Sequence, residues 1–64
     1  MAYSLGIDAG GTYTDSILLR NSDGKVVSAN KALTTYPDLL EGITNSIDGL
    51  DPEKLKLVTM VSVS

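Results

Sequence analysis

Two glycine-bearing breaks constrain this chain more than any other feature. Ala9-Gly10-Gly11 and Asn21-Ser22-Asp23-Gly24 cut the stretch from Tyr3 to Leu33 into three short strand-like runs. Asn and Asp hydrogen-bond their own backbone, and Gly24 tolerates positive φ, so the second break is turn chemistry. Runs joined by such short breaks have no room for a crossover and must return antiparallel. "YSLGID", Tyr3 to Asp8, is the first predicted strand, with Tyr3, Leu5 and Ile7 on one face and Ser4, Gly6 and Asp8 on the other. "YTDSILLR", Tyr13 to Arg20, is the second. Its continuous "ILL" predicts cover on both faces. "KVVSANKAL", Lys25 to Leu33, is the third.

The pattern then changes period. In "TTYPDLLEGITNSIDGL", Leu40, Ile43, Ile47 and Leu50 recur at one helical face. Pro37 suits the first helical turn, with Thr35 or Tyr36 as the cap and Asp38 near the positive helix end. Gly42 in the interior disfavours the helix by about 1 kcal/mol relative to Ala. Gly49 is the predicted stop. "DPEK", Asp51 to Lys54, reads as a capped single turn, and "KLVTMVSVS", Lys56 to Ser64, as a strand with apolar residues on both faces. A strand reached through a helix is normally parallel to its sheet partner. The predicted architecture is therefore an α/β mixed sheet of order β-β-β-α-β. One helix covers one sheet face, whereas the strands read as doubly buried. This mismatch predicts that residues 1–64 are a single partial domain, with a second layer outside them.

Size points the same way. A core of 64 residues supplies roughly 3–5 kcal/mol at most. The chain has eight acids against five bases, and the bases Arg20, Lys25, Lys31, Lys54 and Lys56 are scattered. That excludes a nucleic-acid or anionic-membrane surface, which needs clustered Lys and Arg. With no Cys and no His, thiolate chemistry, Ser-His-Asp catalysis and most transition-metal sites are excluded. Carboxylates, hydroxyls and backbone remain, an oxygen-only donor set that suits Mg²⁺. The start lacks the basic and apolar regions of a signal peptide, no stretch is long enough to span a bilayer, and a cytoplasmic location is expected.

The chemistry concentrates in "GIDAGGTYTD", Gly6 to Asp15. It is no Walker loop, because no Lys follows the glycines, and no dinucleotide fingerprint, because the spacing is wrong and the following run is strand-like. A tight turn through Ala9, Gly10 and Gly11 can instead turn successive N–H groups inward as an anion nest. Glycine would serve there to reach positive φ and to let a phosphate approach the backbone. Thr12 and Thr14, on one strand face, would donate hydroxyls to phosphate oxygens. Asp8, directly before the turn, would hold Mg²⁺ or its waters. Asp15 falls on the other face of the second strand and is not expected to touch the same ligand. A plain hairpin turn is the alternative for Gly10 and Gly11, and helix capping is the expectation for Thr34 and Thr35.

"GIDAGGTYTD" resembles the first phosphate motif of the actin-like ATPase superfamily, and the β-β-β-α-β order resembles the first half of its ribonuclease H-like domain. Thr-Tyr-Thr-Asp after Gly-Gly, with "KALTTYPDLLEGI" and "VTMVSVS", is similar to the N-terminus of the hydantoinase/oxoprolinase family. The resemblance spans essentially the whole chain but only the start of a much longer family chain. Tyr13 stands where the family more often has Phe.

The resemblance implies ATP and Mg²⁺ as cofactors. It implies Gly10, Gly11, Thr12, Tyr13 and Thr14 as nucleotide-binding residues and Asp8 as the metal residue. A small cyclic amide would be the substrate of the parent enzyme, with hydantoins, 5-oxoproline and acetone as the family's range. By family analogy, phosphorylating the amide oxygen creates a leaving group and opens the carbon to water. This segment would supply the nest and a carboxylate, and no turnover is expected from it alone. Two other readings stay open: a fragment of a sugar kinase or reductase-activating ATPase with the same loop, and a small non-enzymatic binding or assembly module. Self-association through an exposed sheet edge or the uncovered face is also expected.

Overall fold

The computed structural model describes residues 2–64. Strands β1 (Tyr3–Ala9), β2 (Tyr13–Arg20) and β3 (Lys25–Leu33) are followed by helix α1 (Leu39–Asp48), the single helical turn α2 (Pro52–Leu55) and strand β4 (Val58–Val63). They form one four-stranded sheet of order β3-β2-β1-β4. β2 is antiparallel to both β1 and β3, and β4 is parallel to β1. The result is an α+β fold with a mixed sheet, consistent with the β-β-β-α-β half-domain of an actin-like fold.

The two turns close as their residues dictate. Gly24 adopts φ +69°, and its N–H bonds to the Arg20 carbonyl at 2.8 Å. A bidentate Arg20–Asp23 pair, with contacts of 2.6 and 3.1 Å, braces that turn from the side. A register shift between Leu18 and Leu19 leaves Val27 without a partner on β2. Val27 packs against the core while Val26 lies exposed. Such a bulge re-aims side chains along an edge strand.

Both helices lie on one sheet face. That face buries Tyr3, Leu5, Ile7 and Leu18 with Leu50, flanked by Val27, Ile43, Ile47, Leu55 and Val58. A polar column runs through it: Thr14, Ser16 and Ser46 are buried, with the Ser16 and Ser46 hydroxyls 2.5 Å apart. Ser46 also donates to the Ile43 carbonyl, and Asn30 donates its side-chain N–H to the Ser46 carbonyl at 3.0 Å. Among the described residues no buried side-chain polar atom lacks a partner, as a packed polar column requires.

The helix differs from its predicted stripe. Leu40 is 69% exposed, and the buried positions are Gly42 and Ser46, with Ile43 and Ile47 beside them. The reason is closeness of approach. A Cβ on Gly42 would lie 2.8 Å from the Leu33 carbonyl oxygen and 3.1 Å from the Thr35 nitrogen. Small residues occupy the contact line, and larger ones flank it. Gly42 thus gives up intrinsic helix propensity for contact with the segment after β3.

The cap also differs from expectation. Asp38, not Thr35 or Tyr36, is the N-cap, its carboxylate accepting from the Leu40 N–H at 3.0 Å. Pro37 lies outside the helix. Thr35 contributes from further back, accepting the Gly42 N–H at 2.9 Å. Gly49 ends the helix as expected, though its φ of −83° is right-handed.

The opposite sheet face carries no helix. Register places Ser4, Gly6 and Asp8 there, with Asp15, Ile17 and Leu19 of β2. Ile17 and Leu19 are half-buried, so the double cover predicted for "ILL" is absent from the described residues. β4 is the least covered strand: Met60, Val61 and Val63 are all exposed.

Candidate functional site

The turn between β1 and β2 holds the candidate site. The last rung of the hairpin pairs Ala9 with Thr14, and the Gly10 N–H closes the turn on the Tyr13 carbonyl at 3.0 Å. Neither Gly10 nor Gly11 has positive φ, which corrects the expectation that glycine serves there to reach the left-handed region. The two glycines are constrained differently. A Cβ at Gly10 would meet the Tyr13 carbonyl oxygen at 2.9 Å, so the turn itself excludes a side chain. A Cβ at Gly11 would meet nothing within 4 Å. Neither a positive φ nor packing requires glycine at position 11.

The polar groups of this turn are sorted by type. Its carbonyls are held by the segment that follows β3. Thr34 Oγ1 donates to the Gly10 carbonyl at 2.8 Å, Tyr36 Oη to the Gly11 carbonyl at 3.1 Å, and the Thr34 N–H to the Thr12 carbonyl at 2.8 Å. The Thr34 hydroxyl hydrogen is thus committed to Gly10. Thr14 Oγ1, 2.9 Å from Thr34 Oγ1, is therefore the donor in that contact. Among the described residues, no protein acceptor takes the N–H of Gly11 or of Thr12. Both residues are exposed.

The sequence-predicted residues divide between the two sheet faces. Thr14 is 1% exposed and lies on the helix-covered face, which differs from the expected free hydroxyl. The strand alternation that would expose it instead aims it at Thr34. Thr12 precedes β2, outside the ladder, so it does not share a strand face with Thr14 as expected. Asp8 is exposed and directly opposite Asp15 in the β1–β2 register, so both carboxylates project from the open face. Asp15 also faces Lys31, with 3.7 Å between the charged atoms. The Lys31 ammonium lies 5.3 Å from the centre of the Tyr13 ring, within cation–π range.

Sequence reasoning did not single out Lys31, Thr34 or Tyr36 for this turn. Counting β3 back from the Asn21–Gly24 turn would have approached the Asp15–Lys31 pairing, but the bulge at Val27 shifts that count by one. Nothing local marks Thr34 or Tyr36, because their partners lie 20 to 25 residues away.

A family comparison fits this geometry: the hydantoinase/oxoprolinase N-terminal region matches residues 4–63. The chain belongs to the hydantoinase/oxoprolinase family. Comparison with curated proteins and with solved structures gave no match. The family match runs from β1 to the end of β4 and so contains the whole site.

Two further observations bound what this family segment can hold. Among the described residues no three carboxylates converge, so a divalent cation at Asp8 would need most of its oxygen ligands from phosphate or water. A shallow depression of about 390 Å³ lies on the sheet beside Asp15, Ile17, Ala29 and Lys31, not at the glycine turn. It is open, and the turn has the sharper chemistry. No helix among the described residues is long and apolar enough to cross a membrane.

Proposed function

We propose that this chain is the nucleotide-phosphate-binding segment of an ATP-dependent hydrolase acting on cyclic amides, in a part of that enzyme's ATPase domain. One observation carries the reading. The β1–β2 turn directs all three of its carbonyls to protein donors and leaves two consecutive N–H groups without a protein acceptor. These flank a glycine that the fold does not need. An arrangement of free amides suits an anion and rejects a cation.

The donor set fits the group that family membership implies. The Gly11 and Thr12 amides and the Thr12 hydroxyl would hold phosphate oxygens. Gly10 shapes the turn, and the buried Thr14 supports it from behind. Tyr13 keeps the Lys31 ammonium near the turn. Asp8 would hold Mg²⁺ through its waters, from the open face beside the turn. Bound there, nucleotide would supply phosphoryl-transfer chemistry, for which the protein's part is mainly positioning and charge neutralisation. Groups that activate water and bind a cyclic amide are not among these side chains, so the 64-residue chain is expected to turn over no substrate. A cytoplasmic location is part of the proposal, since ATP is the co-substrate.

The test is a two-dimensional NMR titration of the ¹⁵N-labelled chain with Mg-ATP. Amide shifts centred on Gly10, Gly11 and Thr12 are expected. Shifts elsewhere, or none at millimolar nucleotide, would return the turn to a plain hairpin in a binding or assembly module.

A further inference from the structure

The contacts behind the glycine turn point to two positioning residues. We infer that Thr34 and Tyr36 form a strap that holds the turn in its anion-accepting arrangement. This inference rests on the nucleotide reading above and goes beyond it, because neither residue is among those proposed to hold phosphate.

The geometry is specific. The strap runs along the back of the turn and takes each of the three carbonyls in order: Gly10 by the Thr34 hydroxyl, Gly11 by the Tyr36 hydroxyl, Thr12 by the Thr34 N–H. A peptide plane whose carbonyl is fixed has its following N–H fixed as well, because the two are coplanar and opposed. Holding the Gly10 carbonyl therefore orients the Gly11 N–H, and holding the Gly11 carbonyl orients the Thr12 N–H. These are the two amides without a protein acceptor.

Thr34 is itself fixed by the buried Thr14 hydroxyl at 2.9 Å. The strap is anchored further by Thr35, which accepts the Gly42 N–H, and by the close approach of Gly42 to Leu33 and Thr35. The N-terminal end of α1 is thereby coupled to the phosphate turn. Tyr36 gives the clearest sign of a dedicated role. The residue is 69% exposed, so core packing does not explain its placement, yet its hydroxyl reaches the turn.

Pre-fixing two donors removes an ordering penalty that the ligand would otherwise meet on binding. Losing one strap bond therefore lowers affinity without removing a ligand contact. A net hydrogen bond corresponds to about 3- to 10-fold in an equilibrium constant, and that range is expected here.

The experiment compares Mg-ATP affinity and ¹⁵N order parameters of Gly11 and Thr12 in the wild-type chain, Thr34→Val, Thr34→Ser and Tyr36→Phe. Thr34→Val and Tyr36→Phe are expected to weaken binding and to lower the order parameters at those two amides. Thr34→Ser, which keeps the hydroxyl, is expected to retain wild-type values. Tyr36→Phe removes one exposed hydroxyl and should melt with the wild type, so it keeps the test valid if Thr34→Val fails to fold.

Wild-type affinity in Tyr36→Phe together with unchanged order parameters overturns the strap and leaves the nucleotide reading standing. Absence of any wild-type response at Gly11 and Thr12 overturns both. Loss of melting temperature in Thr34→Val and Tyr36→Phe alike, with affinity unchanged, assigns the bonds to stability alone and also overturns the strap.

Discussion

Adjacent glycines in one turn do different things here. At Gly10 the Tyr13 carbonyl occupies the space of a side chain; at Gly11 nothing does. Gly10→Ala is expected to destabilise the fold by about 1–3 kcal/mol, as forcing an atom into a packed site does. Gly11 has no positive φ, and a Cβ there meets open space. Gly11→Ala is expected to be neutral or to stabilise by about 0.4–1 kcal/mol through the unfolded state, while weakening Mg-ATP by placing a methyl where phosphate approaches. Urea unfolding of both variants checks the pair, and equal losses from both would remove the distinction. Thr14 illustrates the limit of residue-level reading. Its spacing predicts a hydroxyl facing a ligand, but its burial and its bond to Thr34 make it a support. The same residue type serves either role, and only its neighbours decide.

At the level of elements, the Asn21–Gly24 turn and the short capped turn after α1 were legible because their chemistry is local. Asn21 to Gly24 closes as its residues require, and "DPEK" is a capped turn: Asp51 accepts from the Glu53 N–H and pairs with Lys54 at 2.9 Å. These pairs make acid stability predictable in sign. The Asp23 carboxyl is held below its ordinary value, first by the side-chain hydrogen bond from Arg20, then by the Lys25 N–H. The hydrogen bond from Lys54 lowers Asp51 in the same way. A carboxyl depressed in the folded state contributes stability that is present above its unfolded pKa and lost as pH falls through its folded one. Melting temperature is therefore expected to fall as pH drops below the ordinary carboxylate range, less steeply in Asp23→Asn and in Asp51→Asn. Both pairs are solvent-exposed, so the effect is small and weakens with salt. A steeper acid loss in either variant would reverse the assignment. The helix cap was less legible: Thr35, Tyr36 and Asp38 all read as acceptable N-terminal residues, and the choice of Asp38 followed from where α1 meets the sheet.

Across the whole molecule, the uncovered parts set the behaviour. β4 is an edge strand, and the run from Leu57 to Ser64 carries no charge and no proline. Such an edge lacks the usual protections against pairing with another chain. Self-association through β4 is the proposed outcome, measured as a mass above that of one chain by light scattering at high concentration. Val61→Lys on β4 is expected to reduce it, and a monodisperse wild-type monomer would refute it. The sequence by itself determined the element order, the antiparallel hairpins and the parallel return of β4. Each depends on alternation, helical spacing or turn residues, which act over a few positions. The tertiary structure alone decided that Asp8 and Asp15 share a face. It also decided that Gly42 and Ser46 form the contact line of α1, and that Thr34 and Tyr36 hold the turn. Those facts depend on register between strands, on the bulge at Val27 and on how closely a helix approaches a sheet. Such distances arise only when residues far apart in sequence are packed together.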